Sequence, residues 1–134
     1  MTRPTVLLID DEENLLASLI YGLKAHNIDA EGAKDAPEGL FKLERRIPDM
    51  VFVDLCLPDV SGIELLSTIK ARHPHLPVAM ISAHGDIRVA VEAVKVGAID
   101  FIAKPFELED IVSLIQNAAN NGQSSRRQPR RARQ

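Results

Sequence analysis

Five short apolar runs recur along the chain, and each is followed by a stretch whose apolar residues return every three or four positions. Thr5-Val6-Leu7-Leu8-Ile9 and Met50-Val51-Phe52-Val53-Asp54 are brief and rich in β-branched residues, so they read as buried strands rather than helix segments. Residues 28–33 alternate weakly between apolar and polar or glycine, as a short, more solvated edge strand would. Residues 77–81 and 98–103 supply the fourth and fifth strands.

The intervening stretches carry helix signals. Glu12 and Glu13 suit a first turn, with Leu15, Leu16, Leu19, Ile20 and Leu23 at helical spacing. Asp35 caps the next helix, with Pro37 in its first turn and Leu40, Phe41 and Leu43 turned inward. Ile63, Leu65, Leu66 and Ile69 mark a third, closed near His73-Pro74. Gly85-Asp86 introduces a fourth, apolar over much of its circumference from Ile87 to Val96 and stopped by Gly97. Leu108, Ile111, Val112 and Ile115 define a fifth, which fades at Asn120-Asn121-Gly122. Strictly alternating strands and helices imply a parallel sheet covered on both faces. The expected fold is α/β: a flavodoxin-like, doubly wound sheet of order 2-1-3-4-5, with the weak second strand at an edge.

A chain of 134 residues suits one domain with a real core. We expect that domain over residues 1–120 and a flexible Arg-rich tail or linker over 121–134, which lacks periodic apolar positions. The net charge of −3 hides an asymmetry. Setting aside Arg126, Arg127, Arg130, Arg131 and Arg133 leaves eleven basic against nineteen acidic residues, a net of −8 for the body. An acidic body argues against nucleic-acid binding by the domain itself. Lone Cys56 excludes an intramolecular disulfide and fits a reducing compartment. No run has the character of a signal peptide or the length of a membrane span, so a soluble cytoplasmic protein is expected.

Polar groups end four of the strands: Asp10-Asp11, Asp54, Ser82 and Lys104. In a parallel sheet these ends share one edge, where ligands bind. Separately each has a plain structural explanation: a helix cap, a turn residue, a loop hydroxyl, a solvated charge. Together they are hard to explain as coincidence. Three close carboxylates repel one another unless a cation joins them. Oxygen ligands without His or Cys select a hard divalent ion, Mg²⁺ or Mn²⁺. Carboxylate, metal, hydroxyl and lysine are what phosphoryl transfer to a carboxylate requires.

The acid pair Asp10-Asp11, the loop Asp54-Leu55-Cys56-Leu57-Pro58-Asp59-Val60-Ser61-Gly62, Ser82 and Lys104-Pro105-Phe106 resemble the receiver domain of bacterial two-component response regulators. The segments 81–86 and 97–106 are most similar to receivers of the nitrogen-regulation and dicarboxylate-transport type. The resemblance implies that Asp54 accepts a phosphoryl group from a phosphohistidine of a sensor histidine kinase. It further implies direct Mg²⁺ ligation by Asp11, Asp54 and the Cys56 backbone carbonyl, with Asp10 acting mainly through water. Lys104 and Ser82 would contact the phosphoryl group, and the bond before Pro105 would be cis. Such a domain is no enzyme on an external substrate; it catalyses its own phosphotransfer and dephosphorylation.

Phosphorylation adds roughly 1.5 to 2 negative charges. By the same resemblance, Ser82 drawn toward them vacates space that Phe101 could fill, shifting the face of the fourth helix, fifth strand and fifth helix between two pre-existing packings; the plain alternative for Phe101 is an ordinary core residue. Phe101 stands where many receivers carry Tyr, so its inward bias rests on packing alone. By the same resemblance Cys56 and His84 flank the site as tuning positions, with His84 setting phosphoryl lifetime. The apolar fourth helix predicts a homodimer made on phosphorylation. The tail reads as a linker to an output domain, most naturally one controlling transcription. The alternatives are the end of a stand-alone phosphorelay or interaction receiver, or a weak contact of the tail with nucleic acid or an acidic partner. A dehalogenase-like phosphatase fits poorly, because the second acid of its Asp-x-Asp pattern would fall on Cys56. A nucleotide or flavin module lacks its Gly-rich loop after the first strand. A phosphorylation-independent interaction module leaves the intact acids, Ser82 and Lys104 without a purpose.

Overall fold

Each predicted strand and helix forms, in strict alternation. The order is β1 (Thr5–Ile9), α1 (Glu13–Ala25), β2 (Asp29–Ala33), α2 (Ala36–Arg45), β3 (Met50–Asp54), α3 (Gly62–Arg72), β4 (Val78–Ser82), α4 (Ile87–Val96), β5 (Asp100–Ala103) and α5 (Leu108–Ser124). The computed structural model describes residues 3–83 and 87–124, the last four as backbone. His84 and the arginines from 126 onward lie outside the described residues.

The five strands pair in parallel in the order β2-β1-β3-β4-β5. Alternation of side chains along each strand divides the core in two. Leu7, Ile9, Val51, Val53, Val78 and Met80 face the layer of α2, α3 and α4, where Leu43, Leu66, Ile69 and Ala93 meet them. Val6, Leu8, Met50, Phe52, Ala79 and Ile81 face α1 and α5, against Leu16, Leu23, Ile111 and Ile115. The central strand β3 is buried along its whole length, which is why it reads as continuously apolar up to its terminal acid. Burying each large side chain of this kind contributes roughly 1.5–3 kcal/mol.

Local signals set the boundaries. Asp35 accepts from the Glu38 N–H at 2.9 Å and caps α2, and Ser61 Oγ accepts from the Glu64 N–H at 3.1 Å to cap α3. Asn27, at φ 63°, ends α1 in the left-handed conformation that asparagine tolerates. Two expectations differ from the structure. Phe41 is not turned inward: it is 59% exposed, because Ala36, Gly39 and Leu43 take the buried face of α2. Its ring lies beneath the Arg45 guanidinium, 5.7 Å from the ring centroid. Helix α5 runs past Asn120-Asn121-Gly122 to Ser124, since one glycine costs only about 1 kcal/mol in a helix that no proline interrupts.

Candidate functional site

The strand registers bring the polar ends together. Ile9 lies beside Val53, Asp54 beside Ile81, and Ser82 beside Ala103, so Asp10, Asp54, Ser82 and Lys104 share one edge. That edge flanks the β1–β3 crevice, where strand order reverses. Among the described residues three polar or charged side chains are buried: Asp10, Asp54 and Ser82. All belong to this edge. Burying carboxylates is costly unless charge and hydrogen bonds compensate, so the concentration here marks the place where the fold serves something other than stability.

The compensation is partial. Asp54 Oδ1 accepts from the Cys56 N–H at 3.0 Å, and Asp10 Oδ1 from the Glu12 N–H at 2.9 Å. Lys104 Nζ lies 2.7 Å from Glu12 Oε1, 3.1 Å from Asp10 Oδ2 and 3.5 Å from Asp54 Oδ2. Asp10 Oδ2 nevertheless lacks an aligned hydrogen bond among the described residues, so Lys104 meets it as charge alone. Burial, with the Asp54 charge adding to it, pushes the Asp10 carboxyl above the usual carboxylate range, against the opposing pull of the Glu12 amide and Lys104. Burial opposes the charge on Lys104, but the hydrogen bond to Glu12 and the close carboxylates of Asp10 and Asp54 outweigh it, and the ammonium is held above the ordinary lysine range.

Asp10, Asp11 and Asp54 each offer one carboxylate oxygen, all within 4.8 Å of one another. A buried oxygen without an aligned hydrogen bond, in an oxygen-only set beside an exposed third acid, fits a hard cation. This acidic cluster can hold a metal ion.

The loop after β3 is folded tightly around Asp54. Cys56 and Ser61 form an antiparallel bridge, and the Gly62 N–H donates to Leu55 O at 2.8 Å. A β-carbon at Gly62 would lie 2.6 Å from Leu55 Cα and collide with the Asp54 carbonyl, so only glycine fits. The Lys104–Pro105 peptide is cis, as the resemblance implied. Cys56 is exposed at the rim, and Phe101 is half-buried against the α2–α4 layer, in register with Met80. His84 lies outside the described residues. Two residues of the site escaped the sequence reading. Glu12 looked like a first-turn acid but lies against Lys104; that it is a third consecutive acid at a ligand-binding strand end was the available signal. Gly62 was visible as the end of the loop after Asp54, but not its close approach to the Asp54 and Leu55 backbone.

The family model for the response regulator receiver domain matches residues 6–116. The chain belongs to that family. The receiver is 39% identical over 115 residues to the nitrogen assimilation regulatory protein NtrX of Azorhizobium caulinodans, covering 84% of this chain and 25% of NtrX. To the DNA-binding transcriptional regulator NtrC of Escherichia coli it is 34% identical over 130 residues, covering 97% of this chain and 28% of NtrC. Among solved structures, a CheY-like receiver domain protein from Methanospirillum hungatei superposes with a TM-score of 0.88 at 26% identity, covering 92% of this chain and 99% of that one. The receiver thus spans about a quarter of the length of these two curated relatives. It is a two-component receiver of the nitrogen-regulation type, and no helix among the described residues is long and apolar enough to cross a membrane.

Proposed function

We propose that the receiver takes a phosphoryl group onto Asp54 from the phosphohistidine of a sensor histidine kinase and passes the event on through its α4–β5–α5 face. The observation that carries this reading is Asp54 itself, a buried carboxylate with a lysine and two further acids around it. Its Oδ1 is held by the Cys56 N–H, which orients the group. An Asp54 oxygen attacks phosphorus, the P–N bond breaks, and the imidazole leaves with the electron pair. Asp10, Asp11, Asp54 and the Cys56 carbonyl would hold Mg²⁺ or Mn²⁺, which supplies charge neutralisation on the equatorial oxygens. Lys104 does the same from the other side, and Ser82 donates a hydrogen bond to the bound group. Water then releases phosphate from the acyl phosphate, with Cys56 and His84 tuning its access.

Switching follows as a population shift: Ser82 moves toward the new oxygens and Phe101 packs inward behind it. Ile87, Val91 and Val94 on α4 are all about half exposed or more, which supports a homodimer formed in the phosphorylated state. We place the domain in the cytoplasm, ahead of an output domain controlling transcription, on the likeness to NtrX and NtrC. Residues 121–134, the first four of them still in α5, then lead into the linker, and nucleic acid is left to the output domain. Incubation with acetyl phosphate and Mg²⁺, followed by intact mass, tests the core of the proposal. One phosphoryl group is expected on the wild type and none on Asp54→Asn; an unmodified wild type would overturn it.

A further inference from the structure

Glu12 stands at the N-cap of α1, where a side chain normally turns back to accept a helix N–H, yet it makes no such bond. Its backbone is pinned instead by Asp10, whose Oδ1 accepts from the Glu12 N–H at 2.9 Å, and its carbonyl accepts from the Leu16 N–H at 3.0 Å. With the main chain fixed from both sides, the side chain extends across the crevice. Its Oε1 accepts from Lys104 Nζ at 2.7 Å, the shortest of the three carboxylate contacts that the lysine makes. The contact to Asp54, by comparison, is 3.5 Å. Lys104 is therefore committed first to an acid that has no place in the phosphoacceptor or in the metal cluster.

Resting on the reading of Asp54 as phosphoacceptor, we infer that Glu12 is a positioning residue that holds the Lys104 ammonium away from Asp54 until a phosphoryl group competes for it. One ammonium has three donors, and one direction is given to Glu12. Tetrahedral oxygens on Asp54 would recruit that donor, and the Glu12 carboxylate, 59% exposed at its side chain, would return to water at little cost. The exchange makes Lys104 a two-position element whose resting position is set by Glu12. It lowers the affinity of the site for the phosphoryl group, because the ion pair to Glu12 must be given up first, and it keeps a negative charge at the mouth of the crevice.

The probe is beryllofluoride, a stand-in for the bound phosphoryl group, titrated in saturating Mg²⁺ and followed by ¹⁹F NMR. Glu12→Gln keeps the shape and removes the charge; Glu12→Ala removes the side chain; Glu13→Gln removes an equal charge one position along, on an exposed residue without contact to Lys104 among the described residues. Both Glu12 variants should bind beryllofluoride about two- to fivefold more tightly than wild type, the size of an exposed ion pair, and Glu13→Gln should not. The gain should shrink as salt is raised, whereas a purely structural role would give no gain. Glu12 variants equal to or weaker than wild type would overturn the inference, as would equal tightening by Glu13→Gln, which would assign the effect to net charge. A wild type that binds no beryllofluoride at all would instead remove the phosphoacceptor reading beneath it.

Discussion

Gly62 lies so close to Asp54 that a β-carbon on it would collide with the Asp54 carbonyl. The helix that follows β3 thus begins against the backbone of the residue it helps to present, and Ser61, at its cap, is bridged back to Cys56. Gly62→Ala must displace the loop, since the obstacle is main chain rather than a flexible side-chain end. We expect a stability loss of about 1–3 kcal/mol by urea denaturation. Slower modification by acetyl phosphate should accompany it, because the Asp54 carboxylate loses its fixed orientation.

Asp10 carries a carboxyl whose pKa is raised, chiefly by burial. A folded-state pKa above the unfolded one favours folding when the group is protonated, and the benefit is lost as pH rises through the folded value. At neutral pH without divalent cation the ionised Asp10 therefore works against folding. Asp10→Asn should raise metal-free stability at pH 7 by about 1–3 kcal/mol, the scale of a poorly satisfied buried polar group. The advantage over wild type should narrow as pH falls through the raised Asp10 pKa. The same variant should lose most of the stabilisation that added Mg²⁺ gives the wild type. Urea titrations with and without Mg²⁺ at several pH values check both signs.

Lys104 is the cation that three carboxylates share. Lys104→Met leaves Asp10 and Asp54 facing each other without it, and we expect a loss of about 1.5–3 kcal/mol, typical of hydrogen bonds to charged groups. Added Mg²⁺ should recover more stability in this variant than in wild type, because the ion no longer competes with the ammonium. Thermal melts across a Mg²⁺ series are the measurement. A recovery no larger than in wild type would show that lysine and metal do not share the site.

Phe41 and Phe52 make a contrasting pair, the first 59% exposed and the second 0% exposed. Phe41→Ser should change stability by no more than about 0.5 kcal/mol, whereas Phe52→Ala should cost about 3–5 kcal/mol. Denaturation midpoints of the two variants decide it.

The alternation of apolar runs and helical spacing carried the architecture. β1 and β3 stood out because both faces of each are buried, which leaves an unbroken apolar string. The strand order followed from handedness and from the weakness of β2. Asp10, Asp11, Asp54, Ser82 and Lys104 were visible as a set because parallel strands put their ends on one side. Phe41 was misplaced because on a short helix with Leu40, Phe41 and Leu43 close together, periodicity leaves the buried face uncertain by one position. Ala36 and Gly39 fixed the face through their close packing, and small residues announce little in a hydrophobic pattern.

Order along the chain was enough to settle which residues become strands and helices, which ends carry acids, and that the acids gather at one edge. These depend on local periodicity and on the parallel topology, and both are written in one dimension. The distances within that edge come only from the folded molecule. Whether Lys104 rests on Glu12, Asp10 or Asp54, and whether Asp10 keeps an oxygen without an aligned hydrogen bond, is decided by differences of under 1 Å between contacts of 2.7 Å and 3.5 Å. Such differences arise where β1, the β3–α3 loop and the end of β5 are packed against one another, and no pattern of residue types encodes them.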